Sequence, residues 1–222
     1  MLPRVLEPEA MDTPEEARGY DAMDHSEVNV RFVAEFLAAH GPCRGGKILD
    51  VGTGPARIPI ALCRADPSAR VLGVDLARAM LDRARLNVAA AGLARRIRCA
   101  RADAKMLPSP SGAFEAVVSN SIVHHIPDPR PVLAEMARVV APGGTLFVRD
   151  LARPDRLEAV AALVTTYAGK ESPAARALFE ASLHAALTVA EVQGIIRDLG
   201  LPTAGVAMTS DRHWTWSWRR PT

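Results

Sequence analysis

The chain has 222 residues, 49% of them hydrophobic and 23% charged, with a net charge of +2. That balance suits one ordinary globular domain, and its scattered Arg and Lys residues make no basic stripe for a phosphate backbone, so no nucleic-acid partner is expected. No run approaches the roughly 18 apolar residues of a membrane span, and the N-terminus lacks the basic-then-apolar order of a secretion signal.

The first elements are helical. Thr13-Pro14-Glu15-Glu16 has a capping residue, proline at the first helical position and a glutamate to close a capping box. A longer helix from about Ser26 to His40 stops at Gly41, with Val30, Val33, Phe36 and Leu37 as its apolar face and Asp24 or Ser26 as its cap. Short apolar runs then alternate with helical patterns, the mark of a parallel sheet with helices on both faces. The strand runs are Lys47–Val51, Arg70–Asp75, a weaker Arg96–Ala100, Phe114–Ser119 and Gly144–Arg149. Between them, a helix over about Leu76–Ala91 stops at Gly92, and one after Pro131 reaches Val140 before Pro142-Gly143-Gly144 breaks it.

A helical insertion follows from Pro154 to about Ala186, divided near Lys170-Glu171-Ser172-Pro173. Thr188-Val189-Ala190-Glu191 opens one more capped helix. Gly205–Thr209 and His213–Trp218 read as two strands joined by a tight turn, with the three indoles on one face as core. The whole is expected to be a single domain, 1–222. It would comprise a helical cap (1–44), a core (45–150), an insertion (151–187) and a last helix with terminal strands (188–222). Cys43, Cys63 and Cys99 stand apart, which predicts reduced thiols, a cytoplasmic location and no zinc-type metal cluster.

Three places carry chemistry. Asp50-Val51-Gly52-Thr53-Gly54-Pro55-Ala56 joins a strand to a helix, where glycines let the backbone turn sharply and a ligand lie against bare main chain. A dinucleotide fingerprint would need a third glycine where Arg57 stands. Asp75 ends the next strand about 20 residues on, where a carboxylate can accept both ribose hydroxyls of an adenosine-containing ligand or simply cap the helix that starts at Leu76. Asp103-Ala104, after the third strand, pairs a short acid with a small residue: an acceptor for an adenine amino group with room for the ring, or a surface turn.

With Pro142-Gly143-Gly144 before the fifth strand and Ser119-Asn120-Ser121-Ile122-Val123-His124-His125-Ile126-Pro127-Asp128-Pro129 after the fourth, these motifs resemble class I S-adenosylmethionine-dependent methyltransferases. The likeness is to the small-molecule branch that includes ubiquinone- and menaquinone-biosynthesis enzymes, and it covers roughly Gly45–Asp150. It implies a doubly wound, seven-stranded, mostly parallel α/β sheet with an antiparallel last strand. It also implies S-adenosylmethionine as cofactor, with S-adenosylhomocysteine as product. Asp50, Gly52, Thr53, Gly54 and Pro55 would surround the cofactor's amino-acid tail, Asp75 and Leu76 its ribose, and Asp103 and Ala104 its adenine. Asn120 and Ser121 would lie beside the methionine part and the sulfonium. Ala56 departs from the third glycine many members have there, adding one methyl group to be packed.

Asn120-Ser121-Ile122-Val123 is not the Asn/Asp-Pro-Pro-aromatic motif of enzymes that methylate nucleic-acid amino groups, so a small-molecule acceptor is expected. In-line transfer of an activated methyl needs no metal. The acceptor side has four candidate sources. His124 and His125 would point oppositely on an extended segment, so one would face the pocket. Tyr20 and His25 precede the long N-terminal helix. Tyr167, Phe179 and His184 lie in the insertion, and His213 lies in the terminal hairpin. Two alternatives stay open: a nicotinamide-dependent oxidoreductase, and a non-catalytic methyltransferase-like partner subunit. A monomer and a homodimer are equally compatible with the sequence.

Overall fold

The computed structural model describes residues 2–9, 11–23 and 25–222. In chain order the elements are α1 (Pro14–Ala22), α2 (Ser26–His40), β1 (Lys47–Val51), α3 (Arg57–Ala65), β2 (Arg70–Asp75), α4 (Arg78–Ala90), β3 (Ile97–Arg101) and β4 (Phe114–Asn120). There follow a 3-10 turn (Val123–His125), α5 (Arg130–Val139), β5 (Val140–Leu151), α6 (Leu157–Ala168), α7 (Pro173–Ala185), α8 (Val189–Asp198), β6 (Val206–Met208) and β7 (His213–Arg219).

The strands form one seven-stranded sheet in the order β3-β2-β1-β4-β5-β7-β6. β1 pairs in parallel with β2 and β4, and β2 with β3, whereas β7 runs antiparallel to β6. The expected mostly parallel sheet with an antiparallel last strand is therefore present. Registers of Asp50 with Gly73 and Asp75 with Arg101 bring the carboxyl ends of β1, β2 and β3 out along one edge. Open α/β sheets bind ligands at that edge.

Two compact units are distinguishable. One contains Ala10–Asn120, Pro131–Val148 and Ser217–Thr222. Its core gathers Ile48, Ile60, Leu62, Val71, Ala84, Val88, Val118 and Phe147, with Phe32, Val33 and Phe36 of α2 laid against them. The other contains Met1–Glu9, Ser121–Arg130 and Arg149–Trp216. A smaller apolar cluster there joins Leu151, Val160, Leu183 and Ala186.

Local signals account for most element ends. Thr13 and Thr188 each form a capping box, with Glu16 and Glu191. Gly41 and Gly92 take the positive φ at which α2 and α4 stop.

Four expectations need correction. On α2, Phe32 is buried and Val30 is 63% exposed, because the helix turns its Phe32-Val33-Phe36 stripe toward Phe147, whose ring meets Phe32 edge-on at 5.3 Å. Asp24, one expected cap of that helix, lies outside the described residues; Ser26 is its first helical residue, and His25 holds the cap position without its side chain capping the helix. α5 ends at Val139, and Val140 already belongs to β5. Pro142-Gly143-Gly144 continues that strand because Gly143 and Gly144 exchange backbone hydrogen bonds with Arg220 at 2.9 Å each. Gly144 permits the close approach: a Cβ there would lie 2.7 Å from the Glu115 carbonyl oxygen. Of the three indoles, Trp214 and Trp216 are fully buried, whereas Trp218 is only partly so.

Candidate functional site

The glycine turn is built by backbone geometry that few residues tolerate. The amides of Gly52 and Thr53 both donate to the Val74 carbonyl, at 2.8 and 2.9 Å, folding the chain back over the end of β2. Gly52, Gly54 and Ala56 all have positive φ, at 74°, 49° and 62°. At Ala56 the departure from glycine therefore has a backbone cost, while its methyl group is wholly buried in the core. A Cβ added to Gly54 would meet nothing within 4 Å, so the turn presents bare main chain to open space. Gly73, by contrast, must lack a side chain, since a Cβ would lie 2.5 Å from Thr53 Oγ1.

Asp75 braces this turn. Its Oδ2 accepts from the Gly54 amide at 2.8 Å and its Oδ1 from the Ala77 amide at 2.9 Å. The second bond supplies the start of α4, where Ala77 has no side chain to cap with. Each carboxylate oxygen has a further lone pair, so capping and ligand binding are compatible. Leu76, next in line, accepts the Arg101 Nε at its carbonyl at 2.9 Å.

Asp50 is 2% exposed at the end of β1. Burial pushes its carboxyl up to about 7; the Thr53 hydroxyl nearby counters this in part, and the charge of Asp75 adds to it. Burial also raises the Asp75 carboxyl, against the backbone amides that stabilise its charge. Asp50 Oδ2, Thr53 Oγ1 and Asn120 Oδ1 are buried without a well-formed hydrogen bond. Three orphaned polar atoms at the ends of neighbouring β1 and β4 make a cradle lacking its complement, since an unpaired buried polar group costs about 1–3 kcal/mol. The neighbouring Ser119, which the sequence did not single out, is satisfied: its hydroxyl donates to the Val51 carbonyl at 2.8 Å.

Residues 49–148 match the family described as a methyltransferase domain. Over those residues the chain is similar to methyltransferase domains. The chain is 39% identical over 110 residues to demethylmenaquinone methyltransferase of Thermus thermophilus, covering 50% of this chain and 49% of that protein. It is 35% identical over 119 residues to the ubiquinone biosynthesis O-methyltransferase of Methylococcus capsulatus, covering 54% and 49%. The chain thus spans about half the length of these curated relatives. In fold it is similar to a putative S-adenosyl-L-methionine-dependent methyltransferase from Methanococcus maripaludis (TM-score 0.73, 16% identity, 98% of both chains). S-adenosylmethionine is the family's cofactor, and the orphaned atoms of the methyltransferase domain fit its polar amino-acid tail.

Asp103 is braced within its own turn. Its Oδ1 accepts from the Lys105 amide at 2.9 Å and pairs with Lys105 Nζ at 3.3 Å, and its side chain is 39% exposed. Ala104 lies in the same turn.

Tyr20 and His25 do meet, with ring centroids 5.3 Å apart. Tyr20 also packs with Ala17, Ala77 and Met80, beside the helix that Asp75 starts. Between the two aromatic residues lies a residue the sequence analysis passed over. Asp21, buried, takes Arg83 Nη2 at 2.5 Å, Arg57 Nε at 2.8 Å and Asn87 Nδ2 at 2.9 Å. Asn87 also donates to the Pro55 carbonyl, so Asp21 ties α1 to the glycine turn, α3 and α4. Arg57, noted only as a missing glycine, is one of its partners.

The two adjacent histidines are not on an extended segment. The 3-10 turn swings both imidazoles the same way, 4.1 Å apart, onto Glu7 Oε1 (3.3 Å from His124 Nε2, 2.9 Å from His125 Nδ1). The expectation that they point oppositely is corrected, because a tight turn rotates successive side chains by far less than a strand does. His124 Nδ1 contacts Asp150 Oδ1 at 2.5 Å, and Asp150 Oδ2 accepts the Val123 and His124 amides. Burial pushes His124 down, but Asp150 and then Glu7 outweigh it and hold the ring above its ordinary value. Ser121, just after β4, has a φ of 60° and donates its amide to the Arg149 carbonyl.

The remaining candidates all lie in the unit that contains Arg149–Trp216. The Tyr167 hydroxyl donates to Asp211 beneath the Arg212 guanidinium, and Phe179 packs into the smaller apolar cluster. The His184 carbonyl accepts the Val5 amide. Burial beside Arg212 and Arg149 pushes His213 down to about 4.

Proposed function

We propose that this chain is a methyltransferase that binds S-adenosylmethionine and transfers its methyl group in line to a small-molecule acceptor. The observation that carries this reading is the trio of unsatisfied buried atoms on Asp50, Thr53 and Asn120 around a bare glycine turn. Bound there, the cofactor supplies a methyl group already activated on a sulfonium.

The protein's own residues then bind, orient and exclude water. Asp50, ionised, and the turn from Gly52 to Pro55 receive the cationic amino-acid end. Asp75 keeps lone pairs for the ribose hydroxyls while it holds Gly54 and Ala77, with Leu76 beside it. Asp103 and Ala104 border the adenine, and Asn120 with Ser121 borders the sulfur. On the acceptor side, Tyr20 and His25 take the leading role, since Tyr20 packs on Ala77 at the foot of the ribose acid. His124 and His125 come second, because their rings are turned onto Glu7. A small acceptor is supported by the Asn120-Ser121-Ile122-Val123 sequence, the lack of a basic stripe, and relatives named for quinone biosynthesis. Among the described residues no helix is long and apolar enough to cross a membrane.

Calorimetric titration with S-adenosylhomocysteine and with NADH tests the reading. Saturable binding of the nucleoside thioether, with none of the nicotinamide, is expected; the reverse result overturns it.

A further inference from the structure

The unit that holds His124 and His125 contains a buried carboxylate crowded by two imidazoles. The Glu7 side chain is only 6% exposed. Among the described residues its aligned donor is the Ser182 hydroxyl, at 3.2 and 3.3 Å from the two oxygens, which can donate to only one of them at a time. His125 Nδ1 approaches Oε1 to 2.9 Å without aligning for a hydrogen bond, and His124 Nε2 stands at 3.3 Å, each contact an ion pair when its ring is protonated. A buried carboxylate is tolerable when paired or when it coordinates a cation. Here two imidazole nitrogens crowd it without aligning to it.

Those three atoms, Glu7 Oε1, His124 Nε2 and His125 Nδ1, all lie within 4.8 Å of one another. Bonds of about 2.0–2.2 Å to a tetrahedral zinc ion would set ligand atoms roughly 3.3 Å apart. The spacings from Glu7 Oε1, 3.3 and 2.9 Å, lie at and a little below that value. The surroundings match as well. Asp150 Oδ1 sits on His124 Nδ1, so that a neutral ring keeping its proton there would turn an Nε2 lone pair toward Glu7. A carboxylate behind a ligating histidine orients the ring and raises its basicity. The turn itself is pinned, since Asp150 takes the Val123 and His124 amides. Arg4 holds the strand of residues before Glu7 in place by donating to the carbonyls of His124, Ile126 and Ala185.

We propose that Glu7, His124 and His125 form a binding site for a divalent transition-metal ion of the zinc class, with one coordination position left for water or an oxygen ligand. The inference stands independently of methyl transfer. Two imidazoles and one carboxylate suit zinc, cobalt(II) or iron(II) better than calcium or magnesium, which prefer all-oxygen sets. The sequence could not suggest it: adjacent histidines have no zinc-ligand spacing, and the third ligand stands in the N-terminal segment.

The full chain, stripped with chelator and dialysed, is titrated with cobalt(II) and followed by visible absorption, then with zinc by calorimetry. One equivalent is expected, with the intense visible bands of a four-coordinate cobalt site. Glu7→Gln and His125→Asn should each weaken binding at least tenfold, and Asp150→Asn roughly 10- to 100-fold, the usual effect of losing a supporting partner. Zinc should also raise the thermal midpoint of the native chain and not that of His125→Asn, whose part-exposed ring makes that variant the safer to fold. No stoichiometric uptake, or uptake unchanged in Glu7→Gln and His125→Asn, overturns the proposal.

Discussion

Asp75 holds the amide of Gly54 at 2.8 Å, so the acid that ends one strand shapes the turn that follows its neighbour. The same carboxylate starts α4 through Ala77. Asp75→Ala is therefore expected to leave two part-buried amides without this partner, at up to about 1–3 kcal/mol each. Urea unfolding should register that loss, and S-adenosylhomocysteine affinity in calorimetry should fall at least tenfold. Undiminished affinity in a folded variant would remove Asp75 from the ligand site.

Two glycines separate steric roles. Gly73→Ala drives a methyl into Thr53 Oγ1 and should destabilise by about 1–3 kcal/mol, as overpacking does. Gly54→Ala meets no atom, so its effect on the free protein should be limited to the roughly 1–2 kcal/mol of left-handed backbone. Its methyl would nonetheless occupy the space proposed for the cofactor. Paired measurements of unfolding and ligand affinity on both variants check this; equal binding by Gly54→Ala and native protein contradicts the assignment.

Asp50 should make the site pH-sensitive. Its folded-state value near 7 stands above the ordinary carboxylate range, so it adds stability that is full below pH 3.8 and lost as pH rises through about 7. Cofactor binding runs the other way, because an ionised Asp50 is what a cationic amino group needs. Affinity for S-adenosylhomocysteine is expected to be higher at pH 8 than at pH 6. Asp50→Asn should raise the thermal midpoint of the ligand-free protein at pH 8 while weakening binding. A flat affinity profile across pH 6–8 would count against the role.

Asp21 is the anchor for α1. Burial pushes its carboxyl up, but Arg83, Asn87 and Arg57 outweigh that and hold it below its ordinary value. Its contribution is therefore present at neutral pH and lost as pH falls through that lowered value. Asp21→Ala strands two arginines, both part-exposed, so the cost should be about 2 kcal/mol, less than for a wholly buried pair. For a chain of this size that is ~4–8 °C in thermal midpoint. Differential scanning calorimetry of both proteins at pH 7 checks the size, and a difference that persists at pH 4 and shrinks only on further acidification, below pH 3.8, checks the sign.

Sequence alone determined the features carried by neighbours in the chain. The capping boxes at Thr13 and Thr188 and the stops at Gly41 and Gly92 depend on bonds a few residues long, so turn chemistry suffices to locate them, and periodicity marks the strand runs. The class of fold follows from the alternation of strand and helix patterns, and the cofactor expectation from the resemblance carried by the Asp50–Pro55 turn and its companion motifs. Tertiary structure alone decided what required distant residues to meet. Arg4 reaches His124 across 120 residues, Asp21 reaches Arg83 across 62, and Glu7 finds Ser182 across 175. No pattern in the chain encodes such pairings, because they arise from packing, where a carboxylate takes whichever donor the folded backbone brings within three ångströms. The same reason explains why Phe32, and not Val30, became core: helical spacing names a stripe, and only the surface beneath it selects which stripe is buried.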